Sequence, residues 1–303
     1  MDRILATASL PATVGEWVQG WIGGRESLVS LVAGWDGRVE LRASGGGAST
    51  AGSKALRAFS VSKEMYGASS GFNPIPEGSV VNVVNPHPSA KGLATSTMDI
   101  AGAFAACAAY AGDPMTEERL FSLCASLEAS DGIMFGGLAL VDHINGRLVE
   151  RLPSPPEMTI LVIIPEGALD TSDYRRDDAR MERVRAMADA HESAYGMLKK
   201  GLLAQDPAMV AAAATMSAAA QQSVMPRDEW DLLLDICSSS GALGVAVAHS
   251  GTVSGLLYSP ENVAGADSGE DRLRSALGEV AGERAAIKRT YASSGWFRAE
   301  RRG

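Results

Sequence analysis

The sequence predicts an α+β fold arranged in two domains. The chain has 303 residues, which exceeds the size of one average domain. Strand-like and helix-like patterns are mixed in both halves, as α+β proteins require. Residues 153–156 contain three prolines in four positions, and prolines continue neither a helix nor a central strand. We therefore predict one domain at 1–154 and a second at 155–303.

The first half contains short apolar runs broken by glycine, followed by longer runs with helical spacing. The short runs predict strands at 4–8, 27–32, 37–41 and 80–84, and a hairpin of 138–141 with 147–151 around Asn145-Gly146. The longer runs predict helices at 53–66, 95–111 and 117–129. Residues 44–53 are rich in glycine, serine and alanine and predict a loop.

The second half repeats this mixture with longer helices. Predicted strands cover 158–164 and 244–248, with a turn and strand at 251–257. Predicted helices cover 177–203, 207–223, 229–238 and 269–292.

Composition limits the class of protein. Hydrophobic residues make up 46% and charged residues 21% of the chain, which excludes a disordered protein. The net charge of −9 argues against binding to nucleic acid or to an anionic membrane. Three widely spaced cysteines, Cys107, Cys124 and Cys237, fit buried thiols in a reducing compartment. Because we find no leader pattern and no long apolar span, we expect a soluble, cytoplasmic protein.

Two familiar letter patterns fail on their context. Residues 67–71 match G-x-S-x-G, but a predicted helix precedes them where the nucleophile elbow needs a strand. Residues 47–54 resemble a P-loop with its last two letters exchanged and with no strand ahead of them. The four histidines show no metal-ligand spacing, and we interpret them as surface or structural residues.

The segment P-S-A-K-G-L-A-T-S-T at 88–97 leads from a strand into a helix. Backbone N–H groups at a helix start are unpaired and attract phosphate. Thr95 and Ser96 can bind phosphate oxygens or Mg²⁺, and Asp99 lies one helical turn after Ser96 on the same face. The alternative is that Thr95 or Ser96 simply caps the helix.

Two further segments carry candidate chemistry. Glu128 and Asp131 stand near a helix end and are followed by glycines; kinases use carboxylates to hold Mg²⁺ and to orient the acceptor hydroxyl. A plain C-terminal turn is the alternative. The glycines in 238–255 allow close approach to a ligand, or only shape bulges in a strand.

Together these segments resemble the GHMP kinases. The P-x-x-x-G-L-A-[ST]-S-T segment at 88–97 resembles the second motif of that superfamily. The opening P-A-T-V-G-E-W-V-Q-G at 11–20 and V-A-H-S-G-T-V-S-G-L-L at 247–257 resemble the L-threonine kinases of cobalamin side-chain synthesis and propanediol utilisation. The resemblance spans residues 8–258.

The resemblance implies a two-domain fold, with a ribosomal protein S5 domain 2-like N-terminal domain and a ferredoxin-like C-terminal domain. It also implies transfer of a phosphoryl group from ATP, with Mg²⁺, to the side-chain hydroxyl of L-threonine. The loop around the ATP phosphates would comprise Lys91, Gly92, Leu93, Ala94, Thr95, Ser96 and Thr97.

The resemblance also assigns roles to the other candidates. Ser96 and Glu128 would hold Mg²⁺, with Asp99 as a further candidate ligand, and Asp131 would be the catalytic base or would orient the hydroxyl. The acceptor would be bound by Glu16, which could pair with an amino group, and by Gln19, His249, Ser250, Gly251 and Thr252.

Three readings of the function stay open at this point. The acceptor is L-threonine, or it is another amino alcohol or small hydroxy metabolite, or the chain is a non-catalytic nucleotide-binding regulator. In each case the expected partner is a small molecule, without nucleic acid or membrane. A homodimer is also compatible with the sequence.

Overall fold

The computed structural model describes residues 3–43, 49–70, 74–166, 178–280 and 285–302. Part of the predicted loop at 44–53 and the first residue of the predicted helix at 177–203 lie outside these ranges. None of the described helices combines the length and apolarity needed to cross a bilayer. All three cysteines are free thiols, and burial raises the pKa of Cys107 to about 12, as expected for unreactive core thiols.

A long antiparallel hairpin begins the chain. Strands β1 (Ile4–Ile22) and β2 (Arg25–Arg42) are joined by Gly23 and Gly24, which have φ of 60° and 75°. Such a two-residue turn needs positive φ at both positions, and glycine adopts it without strain. The three short strands predicted here are therefore parts of two long ones, and no strand was predicted for residues 9–22.

The remaining strands extend the sheet from both sides of this hairpin. They are β3 (Val80–Val84), β4 (Leu138–Asp142), β5 (Arg147–Leu152), β6 (Thr159–Ile164), β7 (Gly244–Val247), β8 (Ser254–Tyr258), β9 (Ala286–Tyr291) and β10 (Arg298–Arg301). The order in the sheet is β5-β4-β2-β1-β7-β8-β6-β9, while β10 also pairs with β1 and β3 with β2. The predicted strands and the hairpin at Asn145-Gly146 are confirmed.

The described helices agree with the predictions apart from one interrupted helix and an error near the end of the chain. They are α1 (Ser53–Ser70), α2 (Thr95–Ala111), α3 (Glu117–Leu127), α4 (Asp178–Ala186), α5 (Ala188–Ala204), α6 (Pro207–Gln222), α7 (Trp230–Ser240) and α8 (Val263–Val280). The predicted helix at 177–203 is interrupted at Met187. The predicted helix at 269–292 is wrong in its second half, because residues 286–291 form β9 and pair with β6. A long-range pairing of this kind overrides local helix propensity.

Two hydrophobic clusters share the C-terminal strands. On β6, Ile160 and Val162 belong to the main cluster, whereas Leu161 and Ile163 belong to the second one. Side chains alternate between the two faces of a strand, so β6 is buried on both faces and its run of apolar residues is explained.

The sheet continues across the predicted domain boundary, since Glu16 of β1 pairs with Val247 of β7. The division at 154/155 remains a prediction.

Candidate functional site

The candidate site lies where the pairing of β1 is irregular. The register between β1 and β2 shifts on both sides of Thr13 and of Glu16, and such bulges re-aim side chains next to active sites. Thr13 also contacts residues 88–94, here called the glycine loop, because its N–H donates to the carbonyl of Leu93 (3.3 Å) and its hydroxyl to the carbonyl of Gly92 (3.2 Å). The first predicted motif therefore lies against the second.

The start of α2 is not capped by a side chain. Ala94 occupies the N-cap position with φ of 56°, and it makes no side-chain capping bond. The alternative in which Thr95 or Ser96 serves as an N-cap is therefore wrong. A non-glycine residue in the left-handed region costs about 1–2 kcal/mol, and such strain concentrates at functional sites. The first N–H groups of a helix have no intrahelical partner, so they are suited to a ligand such as phosphate.

The glycine loop and residues 247–257, here called the third motif, touch backbone to backbone. A Cβ on Gly251 would lie 2.4 Å from the nitrogen of Gly92, and a Cβ on Gly92 would lie 2.4 Å from the Cβ of Ala248. The N–H of Val253 also donates to the carbonyl of Lys91 at 2.8 Å. This approach requires glycine at 92 and 251, which gives both residues a packing role.

Arg227 fixes the third motif in this position. Its buried guanidinium donates to the carbonyls of Ala248 (3.0 Å), Gly251 (2.8 Å) and Thr252 (3.0 Å). The side chain of Gln221, at the end of α6, donates to the carbonyl of His249 at 3.1 Å. Neither residue belongs to a motif that sequence reasoning could have singled out.

A cavity of about 290 Å³, here called the outer cavity, opens beside the start of α2. Its wall combines the glycine loop, the beginning of α1, and the segment after α3. The predicted site residues in its lining are Gly92, Leu93, Ala94, Thr95, Ser96, Thr97, Asp99, Glu128, Asp131 and Ser250. Most of the predicted nucleotide and metal residues thus share one cavity.

Ser96, Glu128 and Lys54 form a polar group in the outer cavity. The hydroxyl of Ser96 donates to Oε1 of Glu128. The other carboxylate oxygen of Glu128, Oε2, forms an ion pair with the amine of Lys54 at 2.7 Å. Glu128 lies immediately after α3 and has an extended backbone, which agrees with its predicted position near a helix end. Lys54 was missed, because a lysine in the first turn of an amphipathic helix looks like any exposed residue.

Asp99 also lines the outer cavity, one turn into α2. Its carboxylate accepts a hydrogen bond from the amide of Asn85 at 3.4 Å. Burial raises the pKa of Asp99 to about 6, although Asn85 and the charge of Lys54 both act to lower it. A half-buried carboxylate of this kind is stabilised by a neighbouring cation.

A smaller cavity of about 50 Å³, here called the inner alcove, adjoins the outer cavity and shares Gly92, Ala129, Asp131 and Ser250 with it. Glu16 lines the alcove and is 4% exposed. Burial raises the pKa of Glu16 well above its usual range, and the charge of Asp131 raises it further. The Oε2 atom of Glu16 has no hydrogen-bond partner among the described residues.

Asp131 lies between the two cavities and is held by Thr97. The hydroxyl of Thr97 donates a hydrogen bond to the carboxylate of Asp131 at 3.1 Å. The same hydroxyl oxygen accepts a hydrogen bond from the backbone N–H of Asp131, also at 3.1 Å. These bonds connect the start of α2 to the segment after α3. They fix the carboxylate at the boundary where a nucleotide in the outer cavity would meet a ligand in the alcove.

Two residues of the alcove lining, His143 and His249, belong to a buried cluster of charged and imidazole groups. Arg180 donates to both oxygens of Glu26 at 2.7–2.8 Å. His249 lies 3.0 Å from Glu26 through Nε2, and its ring packs edge-on against His143 at 4.7 Å. Burial alone would raise the pKa of Glu26, but the bond from His249 and the charges of His249, His143 and Arg180 outweigh it and lower the pKa to about 2.

Sequence reasoning did not find this cluster, because its members come from four separate segments. It also treated the histidines as unrelated, whereas the ligand atoms of Glu26, His143 and His249 lie within 4.8 Å of one another. Both histidines are buried, so a surface position is excluded for them.

Four predicted residues line neither cavity. Gln19 is buried and its amide donates to the carbonyl of Val247 at 3.2 Å. The amine of Lys91 donates to the carbonyl of Pro165. Gly251 and Thr252 contribute backbone to the third motif rather than cavity wall. In this geometry these residues support the site, and their predicted direct contacts with a ligand remain predictions.

Comparison with known proteins identifies the family of the chain. Residues 44–138 match the family model of the GHMP kinases N terminal domain. The chain is 35% identical over 257 residues to an L-threonine kinase from Citrobacter freundii, covering 84% of this chain and 86% of that protein.

Solved structures share the fold at low identity. A homoserine kinase from Cytophaga hutchinsonii superimposes with a TM-score of 0.71 at 18% identity, over 98% of both chains. The protein MDDEF, in complex with MVAPP, AMPPCP and magnesium, superimposes with a TM-score of 0.68 at 13% identity, over 99% of this chain and 100% of its own. These two likenesses concern the fold.

The two solved structures show only a shared fold, whereas the sequence match covers most of both chains and therefore shows the family. It confirms the resemblance noted in the three motifs and the α+β fold that the resemblance implied. The chain therefore belongs to the GHMP kinase family and is a phosphotransferase.

Proposed function

We propose that this protein transfers the γ-phosphoryl group of ATP to the side-chain hydroxyl of L-threonine. The observation that carries the proposal is the inner alcove. It is lined by the carboxylates of Glu16 and Asp131 and adjoins the outer cavity. The similarity to the Citrobacter freundii L-threonine kinase supports threonine as the acceptor.

Asp131 acts on the acceptor hydroxyl. The hydroxyl oxygen forms a bond to the γ-phosphorus, the bond from that phosphorus to the β–γ bridging oxygen breaks, and the hydroxyl proton passes to the Asp131 carboxylate. ADP is the leaving group. Thr97 keeps the carboxylate in place through its hydrogen bonds at 3.1 Å, and positioning of this kind supplies much of the catalysis in phosphoryl transfer.

The outer cavity is suited to a magnesium nucleotide. Ser96, Glu128 and Asp99 offer only oxygen atoms, the ligand type that Mg²⁺ prefers, and Asp99 is a half-buried carboxylate that a cation would stabilise. Mg²⁺ would neutralise charge on the phosphate oxygens during transfer. Lys54 adds a positive charge beside Glu128, and the N–H groups of the first turn of α2, which have no intrahelical partner, offer donors to phosphate oxygens.

Glu16 binds the amino group of the acceptor. Its carboxylate is buried and unsatisfied at Oε2, so an ammonium group placed there would form a charge-assisted hydrogen bond and lower the raised pKa of Glu16. Ser250 lines both cavities and lies where it can contact the acceptor near the transferred group.

A coupled assay of ADP release tests the proposal with Mg·ATP and separate acceptors: L-threonine, L-serine, L-homoserine and ethanolamine. We expect the highest kcat/KM with L-threonine and formation of O-phospho-L-threonine, identified by mass spectrometry. A higher kcat/KM with another acceptor would replace threonine as the substrate. Nucleotide binding without ADP release from any acceptor would favour the non-catalytic regulator.

A further inference from the structure

We infer that the pair His143 and His249, held by Glu26 and Arg180, recognises the carboxylate of the acceptor, opposite the amino-binding Glu16. This inference rests on the proposed function and specifies which part of an amino acid each side of the alcove binds. It concerns three residues outside every sequence motif, namely Glu26, His143 and Arg180.

The charged groups around the alcove form two sets. Glu16 and Asp131 contribute two carboxylates, and the charge of Asp131 acts on Glu16. His143 and His249 form the other set, and the charge of Glu26 beside them is balanced by the bidentate ion pair with Arg180, so the two imidazoles adjoin a neutral pair. A ligand with an ammonium group and a carboxylate is complementary to this division, because each of its charges avoids a group of the same sign.

The lining of the alcove also restricts what can bind a carboxylate there. Among the described residues that line it, His143 and His249 are the ionisable groups able to carry positive charge. Imidazole N–H groups are hydrogen-bond donors to carboxylates, and a bound carboxylate favours the protonated ring. The two rings are in contact at 4.7 Å, so one carboxylate can lie beside both.

Glu26 is a positioning residue in this arrangement. It accepts a bond from Nε2 of His249 at 3.0 Å while Arg180 holds both of its oxygens. A carboxylate that is itself hydrogen-bonded fixes the orientation of the imidazole it contacts, as in other histidine sites. Because all three side chains are buried, the orientation of His249 does not depend on solvent.

The test compares L-threonine with (R)-1-amino-2-propanol, which is L-threonine with hydrogen in place of the carboxylate. In the wild-type protein we expect kcat/KM for L-threonine to exceed that for the amino alcohol by about tenfold or more, as for recognition of a buried polar group. His143→Leu and Glu26→Gln should each lower kcat/KM for L-threonine by about tenfold while changing that for the amino alcohol and the KM for ATP by less than about threefold.

Glu40→Gln is the matched control. Glu40 is also a buried glutamate on β2 with arginine partners, Arg38 and Arg42, but it lines neither cavity. It should leave the ratio of the two acceptors unchanged. Thermal unfolding of each variant separates loss of fold from loss of carboxylate recognition. If a variant does not fold, the wild-type ratio of kcat/KM for L-threonine to kcat/KM for the amino alcohol still tests the inference.

Three results would overturn the inference while leaving threonine phosphorylation intact. One is a wild-type ratio near one, and another is an equal fall for both acceptors in folded variants. The third is tight zinc binding by the wild-type protein that Glu26→Gln abolishes, since Glu26, His143 and His249 would then be metal ligands. Absence of activity with every hydroxy amino acid would instead contradict the proposed function.

Discussion

The outer cavity and the inner alcove differ in how far apart their residues lie along the chain. The outer cavity is built mainly from residues 89–97 and 128–131, together with the start of α1. The alcove brings together Glu16 of β1, Asp131, His143 after β4 and His249 after β7. The proposed nucleotide end is thus built from few segments, whereas the proposed acceptor end is assembled from several strands of the sheet. The motifs at 11–20 and 247–257 supplied Glu16 and His249, but no motif marked His143.

The largest effect should come from Asp131, where the two cavities meet. We expect Asp131→Asn to lower kcat by about 10²–10⁴-fold, the usual contribution of general acid–base catalysis. The KM for ATP should stay within about twofold, because the amide can still bond to Thr97. Steady-state kinetics of ADP release measure both values.

Asp113→Asn provides the comparison for this variant. Asp113 pairs with Arg119 at the end of α2, outside the outer cavity and the alcove, and its substitution should leave kcat unchanged. Wild-type turnover in Asp131→Asn would remove Asp131 as the base and would break the link between the two cavities.

A moderate effect is expected at the contact between the glycine loop and the third motif. Gly92→Ala places a Cβ 2.4 Å from Ala248 at φ of 87°, so overpacking should lower the free energy of unfolding by about 1–3 kcal/mol beyond the cost of the positive φ. Gly24→Ala has a similar φ of 75° but nothing within 4 Å of its Cβ. Chemical denaturation of both variants isolates the packing contribution, and equal destabilisation would contradict the close approach.

The smallest effect should be confined to the outer cavity. Ser96→Ala removes a proposed ligand, and we expect the Mg²⁺ concentration for half-maximal activity to rise by about tenfold, or about 1.4 kcal/mol. The ratio of kcat/KM values for different acceptors should not change. Ser122→Ala, on the exposed face of α3, is the control. An unchanged Mg²⁺ dependence would transfer the metal role to Glu128 or Asp99.

Some expectations failed for identifiable physical reasons. Residues 286–291 were predicted as part of a helix but form β9. Pairing with β6 half-buries Ile287 and buries Thr290, and this tertiary pairing outweighs the small stability of a helix in isolation. Residues 9–22 gave no strand pattern since β1 is buried on both sides and contains bulges. Patterns of period two are lost in such strands.

The sequence by itself determined the proposed phosphate-binding loop of this kinase. The glycine loop and the start of α2 are contiguous in the chain, so local backbone geometry places them together, whereas Glu128 and Asp131 reach them through contacts across more than thirty residues. The tertiary structure also decided the proposed acceptor end. Glu26, Arg180, His143 and His249 come together only after β1, β2, β4 and β7 have formed one sheet. Local spacing is fixed by backbone geometry, whereas contacts across a sheet depend on which strands pair.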